Sequence, residues 1–201
     1  MGRFESESRE IYEHRRRIVA DVLRIPPSSS LFEAEFAPVT REIALADVGA
    51  GTGFLTVLFG KALGPQGRVY AVDIVPEFLE LIRRRAEDES LNNVSTVLCT
   101  ERDVSLPRES VDIVFVCDTY HHFEYPRSTL ESIFRALRSG GELVIIDFQR
   151  IEGVSRSWIL EHVRCDQQTV IDEVLAAGFE VDEAPDADYL EENYFLRFRK
   201  P

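Results

Sequence analysis

The sequence predicts a doubly wound α/β fold, a mostly parallel sheet with helices on both faces. Three observations carry that expectation. The apolar run Ile43-Ala44-Leu45-Ala46-Asp47-Val48 ends in Gly49-Ala50-Gly51-Thr52-Gly53, and a helical pattern follows at once. This is a strand delivering its C-terminal end to a ligand, with a helix N-terminus behind it. A second run, Gly67-Arg68-Val69-Tyr70-Ala71-Val72-Asp73, ends in a carboxylate. A glycine turn followed by an acid ending the next strand is how α/β folds hold a nucleoside-bearing cofactor. From residue 43 onward, short apolar runs alternate with amphipathic stretches in the rhythm of repeated strand–helix units.

The elements follow in order. Residues 5–24 carry Ile11/Tyr12, Ile18/Val19 and Val22/Leu23 at helical spacing, and Pro26-Pro27-Ser28-Ser29-Ser30 stops that helix. Arg15-Arg16-Arg17 lies beside Glu10, Glu13 and Asp21, which reads as a solvated helix face rather than a nucleic-acid patch. Residues 31–40 fit either a short helix or a covering loop. The first strand is expected over 43–48, and a helix over 54–63 turns Leu55, Leu58, Phe59 and Ala62 inward. Gly64-Pro65-Gln66-Gly67 is a turn, and 68–73 the second strand. Pro76 takes a first-turn position in a helix bearing Phe78, Leu79, Leu81, Ile82 and Ala86. Asn92-Asn93 leads into a third strand over 94–99, and Pro107 marks a further turn. Residues 111–117 are almost continuously apolar, as suits the centre of a parallel sheet. A helix over 128–138 is expected to close at Gly140-Gly141, with the fifth strand over 142–148. A helix near 167–177 ends at Gly178, and final strands are expected over 179–184 and 193–199. Too few residues separate these two for a helical crossover, so they pair antiparallel, completing a seven-stranded sheet. No repeat or second domain is visible. The expected organisation is one domain over 1–201, with 1–40 a helical cap and 41–201 the α/β core.

Composition bounds the class of function. The chain has 201 residues and is 44% hydrophobic, enough for one domain with a full core. Its 36 acidic and 23 basic residues give a net charge of −13, a field that repels phosphate polymers and anionic membranes. General nucleic-acid binding is therefore disfavoured. Cys99, Cys117 and Cys165 form no CxxC pair and read as reduced intracellular thiols. No stretch approaches the ~20 apolar residues of a membrane helix, and the N-terminus is charged rather than signal-like. Met1-Gly2-Arg3-Phe4-Glu5-Ser6 meets the loose myristoylation pattern, but in acidic surroundings. The expected compartment is the cytoplasm.

The glycine spacing selects among cofactors. A dinucleotide fingerprint needs GxGxxG, whose third glycine would fall on Phe54, and no GKS or GKT follows as in a P-loop. With Asp47-Val48-Gly49-Ala50-Gly51-Thr52-Gly53 and Val69-Tyr70-Ala71-Val72-Asp73, the chain resembles the class I S-adenosylmethionine-dependent methyltransferases, a Rossmann-like family. Asp118-Thr119-Tyr120-His121-His122-Phe123 resembles the loop after their fourth strand. Leu137-Arg138-Ser139-Gly140-Gly141-Glu142-Leu143-Val144-Ile145 resembles their approach to the fifth, with Ser139 where a proline is usual. The resemblance implies S-adenosylmethionine as cofactor. It places Gly49, Ala50, Gly51, Thr52 and Gly53 under the methionine part, with Asp47 supporting the turn or meeting the amino group. Asp73 would accept from the ribose hydroxyls, Ile74 would lie beside the adenine, and Glu101 or Asp103 would meet the adenine amine. Asp118 would lie under the methionine end.

Methyl transfer from a sulfonium needs alignment and exclusion of water, and a base only where the acceptor must lose a proton. His121 and His122, with Tyr120 alongside, are the base candidates at the carboxyl edge of the sheet, His121 foremost. One of the two histidines is expected to pack or cap the next segment instead. Arg150, Trp158, His162 and Arg164 are expected to form the wall facing a small-molecule acceptor. His162 and Cys165 stand at i, i+3 without evident further ligands, so no metal is expected. Two rival readings remain: a cofactor-binding protein that acts through a partner, and a nicotinamide-dependent oxidoreductase, for which the glycine spacing is wrong.

Overall fold

The computed structural model describes residues 9–26 and 42–201. In chain order its elements are α1 (Arg9–Val22), β1 (Ala44–Val48), α2 (Phe54–Leu63), β2 (Arg68–Asp73), α3 (Pro76–Asp88), β3 (Val94–Leu98), β4 (Val111–Cys117), α4 (Pro126–Ala136), β5 (Leu137–Phe148), α5 (Ser157–His162), α6 (Gln167–Ala176), β6 (Glu180–Val181) and β7 (Asn193–Arg199). Single 3₁₀ turns lie at Gly64–Gln66 and Tyr120–His122. The seven strands form one sheet in the order β3-β2-β1-β4-β5-β7-β6. β1 to β5 are parallel, β7 is antiparallel to β5, and β6 is antiparallel to β7. The expected doubly wound class is the one found.

Strand order reverses between β1 and β4. The chain leaves β1 toward β2 and β3, then returns to the other side of β1. The loops following β1 and β4 therefore start from neighbouring strands at a topological switch point, the place at the carboxyl ends of an open α/β sheet where ligands bind. Both sheet faces are covered. Leu45, Ile113, Phe115 and Val144 pack with α1 and α2 through Ile18, Phe59 and Leu63, whereas Ala46, Val114, Leu143 and Ile145 pack with α4 and α6 through Leu130, Ile133 and Val174. Burial on two faces explains why β4 is apolar at almost every position. Among the described residues, no helix is long and apolar enough to cross a membrane.

Several boundaries differ from expectation for identifiable reasons. Gly140-Gly141 does not close α4. The helix stops at Ala136, because Leu137 is already extended, buried and paired with Val111. Gly140, at φ +77, instead lies within β5 near an irregularity in its register with β4, and its N–H donates to the Lys200 carbonyl at 2.8 Å. The expected strand over 179–184 is reduced to Glu180–Val181 at the sheet edge, and β3 ends one residue early. α5 forms where no helix was expected. The N-terminal residues 1–8, with the myristoylation pattern, and residues 27–41 lie outside the described residues.

α1 is docked at both ends. Ile11, Ile18, Val19 and Val22 are buried, and Tyr12 stacks on Phe54 at 5.2 Å. At its C-terminus the buried Arg197 of β7 donates to the Asp21 carbonyl at 2.6 Å, as a cation there should. Glu142 is the counter-ion of Arg197 and also pairs with Arg24 at 2.9 Å. Burial lowers the Arg197 pKa, and its Nε has no hydrogen-bond partner among the described residues. Removing Glu142 leaves a buried guanidinium uncompensated. Glu142→Ala should cost about 3 kcal/mol in urea unfolding, whereas a loss below about 1 kcal/mol would show that the helix carbonyls suffice.

Candidate active site

The turn after β1 is built around glycine backbone. Gly49, Gly51 and Gly53 have φ of +75, +52 and +76. The N–H groups of Gly49 and Ala50 donate to the Val72 carbonyl at 2.8 and 3.2 Å, which binds the turn to β2. A β-carbon on Gly49 would stand 2.2 Å from the Thr119 methyl, and one on Gly53 2.4 Å from Ile82 Cγ1. Those two glycines are required by the protein's own packing. At Gly51 a β-carbon would meet only the Gly49 carbonyl, at 3.9 Å. Gly51 therefore presents bare backbone to open space, a surface that a ligand can approach closely.

Asp73, at the end of β2, clamps this turn. Its Oδ2 accepts from the Gly51 N–H at 2.8 Å and its Oδ1 from the Val75 N–H at 2.9 Å. Each oxygen keeps acceptor capacity beyond these bonds. Ile74 follows with 48% of its surface exposed. Of the two acids after β3, Asp103 accepts from Ser105 N–H at 2.8 Å and from Arg135 at 2.7 Å, whereas the Glu101 side chain is exposed. Thr52 is exposed too, and its carbonyl accepts from Arg85 at 2.8 Å.

Asp47 lies beneath the turn. It is 4% exposed, and the Thr56 hydroxyl of α2 donates to its Oδ2 at 2.5 Å. Of the two roles open in the sequence, this position suits support. Burial pushes the Asp47 pKa up to about 6; the Thr56 bond opposes the rise and Asp73 adds to it.

The loop after β4 carries the other half. Asp118 has φ +46, and its Oδ1 accepts from the Asn193 amide at 2.7 Å. Thr119 donates to the Cys117 carbonyl at 2.9 Å while its side chain fills the place of the missing Gly49 β-carbon. His121 is 8% exposed and doubly anchored to Asp147. Its backbone N–H donates to Asp147 Oδ2 at 2.9 Å, and its ring Nδ1 lies 2.7 Å from Asp147 Oδ1. With Nδ1–H on the carboxylate, Nε2 is the free nitrogen. Asp147, 1% exposed, also accepts from the Phe148 N–H at 2.8 Å.

The rings of His121, His122 and His162 form one cluster. Centroids of His121 and His122 are 4.1 Å apart, and His162 lies 5.2 Å from the first and 5.0 Å from the second. Burial, then the two neighbouring imidazoles, lower the His122 pKa, so its neutral form is favoured. Trp158 stacks on His162 at 4.8 Å and meets Phe148 edge-on at 5.3 Å.

Not every expected residue joins this group. Tyr120 is fully buried and donates to Glu173 Oε2 at 2.7 Å. Burial, then that bond, raise its pKa, which leaves the phenol protonated rather than available as a base. The reason is local geometry: successive residues of the 3₁₀ turn point apart, and Tyr120 points into the core under α6. Arg164 is committed to the same Glu173 by two bonds of 2.9 and 2.8 Å. Arg150 donates to the Leu160 carbonyl at 3.2 Å and so holds α5. Asp147 and Asn193 were missed in the sequence. A carboxylate ending the apolar run of β5 is a readable signal, but nothing local marks Asn193.

Burial of Asp47 couples stability to pH. A carboxyl held near pKa 6 in the fold and near 3.8 when unfolded makes folding take up a proton between those values. Stability is thus lost as pH rises through that window and levels off above it. Asp47→Asn removes the dependence. The wild-type-minus-variant difference in unfolding free energy should fall by about 3 kcal/mol from about pH 4 to about pH 7. A difference independent of pH would contradict the burial of an uncompensated carboxyl.

The comparisons agree with this geometry. A family model described as "Methyltransferase domain" matches residues 46–145, about half of the chain. The ubiquinone/menaquinone biosynthesis C-methyltransferase UbiE of Yersinia pestis is 28% identical over 130 residues, 63% of this chain and 52% of that protein. The chain thus spans about half the length of the curated relatives it matches. Among solved structures, a SAM-dependent methyltransferase from Aquifex aeolicus superposes with a TM-score of 0.70 at 24% identity, covering 90% of this chain and 97% of that one. The [4+2]-cyclase SpnF superposes at 0.73 with 15% identity, covering 94% and 80%. Phosphoethanolamine N-methyltransferase 2 of Haemonchus contortus, solved with S-adenosyl-L-methionine, reaches 0.65 at 18% identity, covering 83% and 37%. Strand order, glycine turn and relatives converge, and the chain belongs to the class I S-adenosylmethionine-dependent methyltransferase family.

Proposed function

We propose that the protein transfers a methyl group from S-adenosylmethionine to a small-molecule acceptor that has a proton to lose. The observation carrying this reading is the reversal of strand order between β1 and β4, with the bare Gly51 backbone and Asp73 on one side of it and the histidine cluster on the other. The cofactor supplies an activated methyl on a sulfonium. The turn from Gly49 to Gly53 lies under its methionine part, with Asp118 at the amino-acid end and Asp47 holding the turn from below. Asp73 accepts from the ribose hydroxyls with the capacity its two amide bonds leave. Ile74 covers one face of the adenine. Glu101 meets the adenine amine, since Asp103 is held by Arg135.

On the acceptor side the imidazoles do the work. The acceptor's lone pair forms the new bond to the methyl carbon, the carbon–sulfur pair returns to sulfur, and the acceptor's proton must leave. His122 is an exposed, neutral imidazole able to take it, and His121, aimed by Asp147, fixes the cluster's position. Trp158 and Phe148 form the apolar side of the pocket, and excluding water there strengthens each polar contact. Residues 1–201 are read as one domain, and the docking of α1 through Arg197 supports a cap on the core. The net charge of −13 favours small acceptors over nucleic acid. Three free cysteines suit the cytoplasm.

Calorimetry with S-adenosylhomocysteine, the demethylated product, tests the reading. The wild type should bind one equivalent, and Asp73→Ala should weaken binding by roughly 100-fold, about 3 kcal/mol. Saturable binding followed by label transfer from radioactive methyl donor to pooled metabolites completes the assignment. Failure of the wild type to bind either form of the cofactor would overturn it.

A further inference from the structure

We propose that His121, His122 and His162 form a binding site for a first-row transition-metal ion, with one coordination position left for the acceptor. The three rings converge. One ligand nitrogen from each ring lies within 4.8 Å of the others, and the residues come from two separate segments, the turn after β4 and the end of α5. Three imidazoles around a zinc ion at about 2.0 Å would stand about 3.3 Å apart, so the cluster would tighten by up to about 1.5 Å on binding one. His121 is buried and fixed, whereas His122 and His162 are exposed and able to turn.

The surroundings are those of a metal ligand. His121 Nδ1 is bonded to Asp147, which is itself fixed by two backbone N–H donors. A carboxylate behind a histidine sets the tautomer, aims Nε2 and raises its basicity, the usual outer shell of a metal-bound imidazole. Among the described residues, the rings of His122 and His162 make no hydrogen bond, so their nitrogens are available as ligands. The donor set is three neutral imidazoles with no thiolate and no direct carboxylate. That chemistry suits zinc, cobalt, nickel or copper and disfavours magnesium and calcium, which take oxygen ligands. Cys165, the partner that spacing offered to His162, is outside the cluster.

Three protein ligands leave a fourth position open, the arrangement of a reactive rather than a structural site. Its place at the switch point gives that position a purpose. Thr119 touches Gly49 of the cofactor turn, and the cluster begins two residues later. An acceptor oxygen, nitrogen or sulfur bound to the ion would have its pKa lowered, and its proton would pass to water. With the ion bound, the imidazoles are ligands and no longer proton acceptors. This role, though not the binding itself, rests on the methyltransferase reading.

The test uses the full chain freed of metal by a chelator. Zinc is titrated in competition with a chromophoric chelator, and cobalt binding is followed by its visible spectrum. The wild type should take up one equivalent, with the intense cobalt bands of a tetrahedral site. His162→Ala and His122→Ala should each weaken zinc binding by roughly 100-fold or more, and Asp147→Asn by roughly 10- to 100-fold. His162→Ala should keep the wild-type affinity for S-adenosylhomocysteine, which shows that its fold is intact. Equal zinc affinity and cobalt spectra in wild type and His162→Ala, or no stoichiometric uptake by the wild type, would overturn the proposal. Zinc uptake without cofactor binding would leave the metal site standing and remove the methyltransferase reading; the converse would do the opposite.

Discussion

The missing β-carbon of Gly49 is the constraint on which the rest of the site depends. Thr119 occupies the space it leaves, so the loops after β1 and β4 touch at the point where strand order reverses. Beside that contact Asp118 lies in the left-handed region, at φ +46, a conformation that aspartate visits more readily than most non-glycine residues and that its bonds hold here. Its N–H donates to Ile146 and its carboxylate accepts from Asn193, and both belong to strands on the far side of β4. The chain then has only one tight turn in which to reach Asp147, which it does with His121. The glycine turn and the histidine-bearing loop are thereby coupled through a single packing contact.

Three carboxylates are buried at the carboxyl edge of the sheet, and the fold compensates them unequally. Asp73 has two backbone amides, and Asp147 has two amides and an imidazole. Asp47 has a single hydroxyl, and it is there that burial raises the pKa. Charge-assisted bonds to fixed amides are the cheapest way to hold an anion out of water. The two better-compensated acids are the ones that hold the glycine turn and His121 in place.

The sequence makes the glycine-turn half of the candidate site legible because that half is local. Asp47, the glycine turn and Asp73 follow one another across a single strand–helix–strand unit, and their spacing can be counted. The histidine half is assembled from separate elements. His121 follows β4, Asp147 ends β5, His162 ends α5 and Asn193 begins β7. Spacing along the chain points His162 toward Cys165, whereas its actual neighbours lie across the sheet edge. α5 has six residues, too few to show a helical period. Tyr120 and His121 are adjacent in sequence and point to opposite environments, which only the 3₁₀ turn reveals. Gly140-Gly141 misleads in the other direction: local propensity favours a helix cap, and pairing of Leu137 with Val111 overrides it.

The two halves also stand on different foundations. Glycine turn, Asp73 and Asp47 are carried by β1 and β2, whose Leu45, Val69, Ala71 and Val72 are fully buried in the central core. His162 stands on α5, which is held by a small satellite cluster of Phe148, Ile159 and Val163 with Trp158 against it, and by the Arg150 bond to Leu160. A short helix on a satellite cluster opens locally at lower cost than a central strand. Substitutions there can move His162 and the pocket wall without disturbing the sheet or the turn. The fold therefore holds the glycine turn and Asp73 firmly and the histidine cluster on α5 less so.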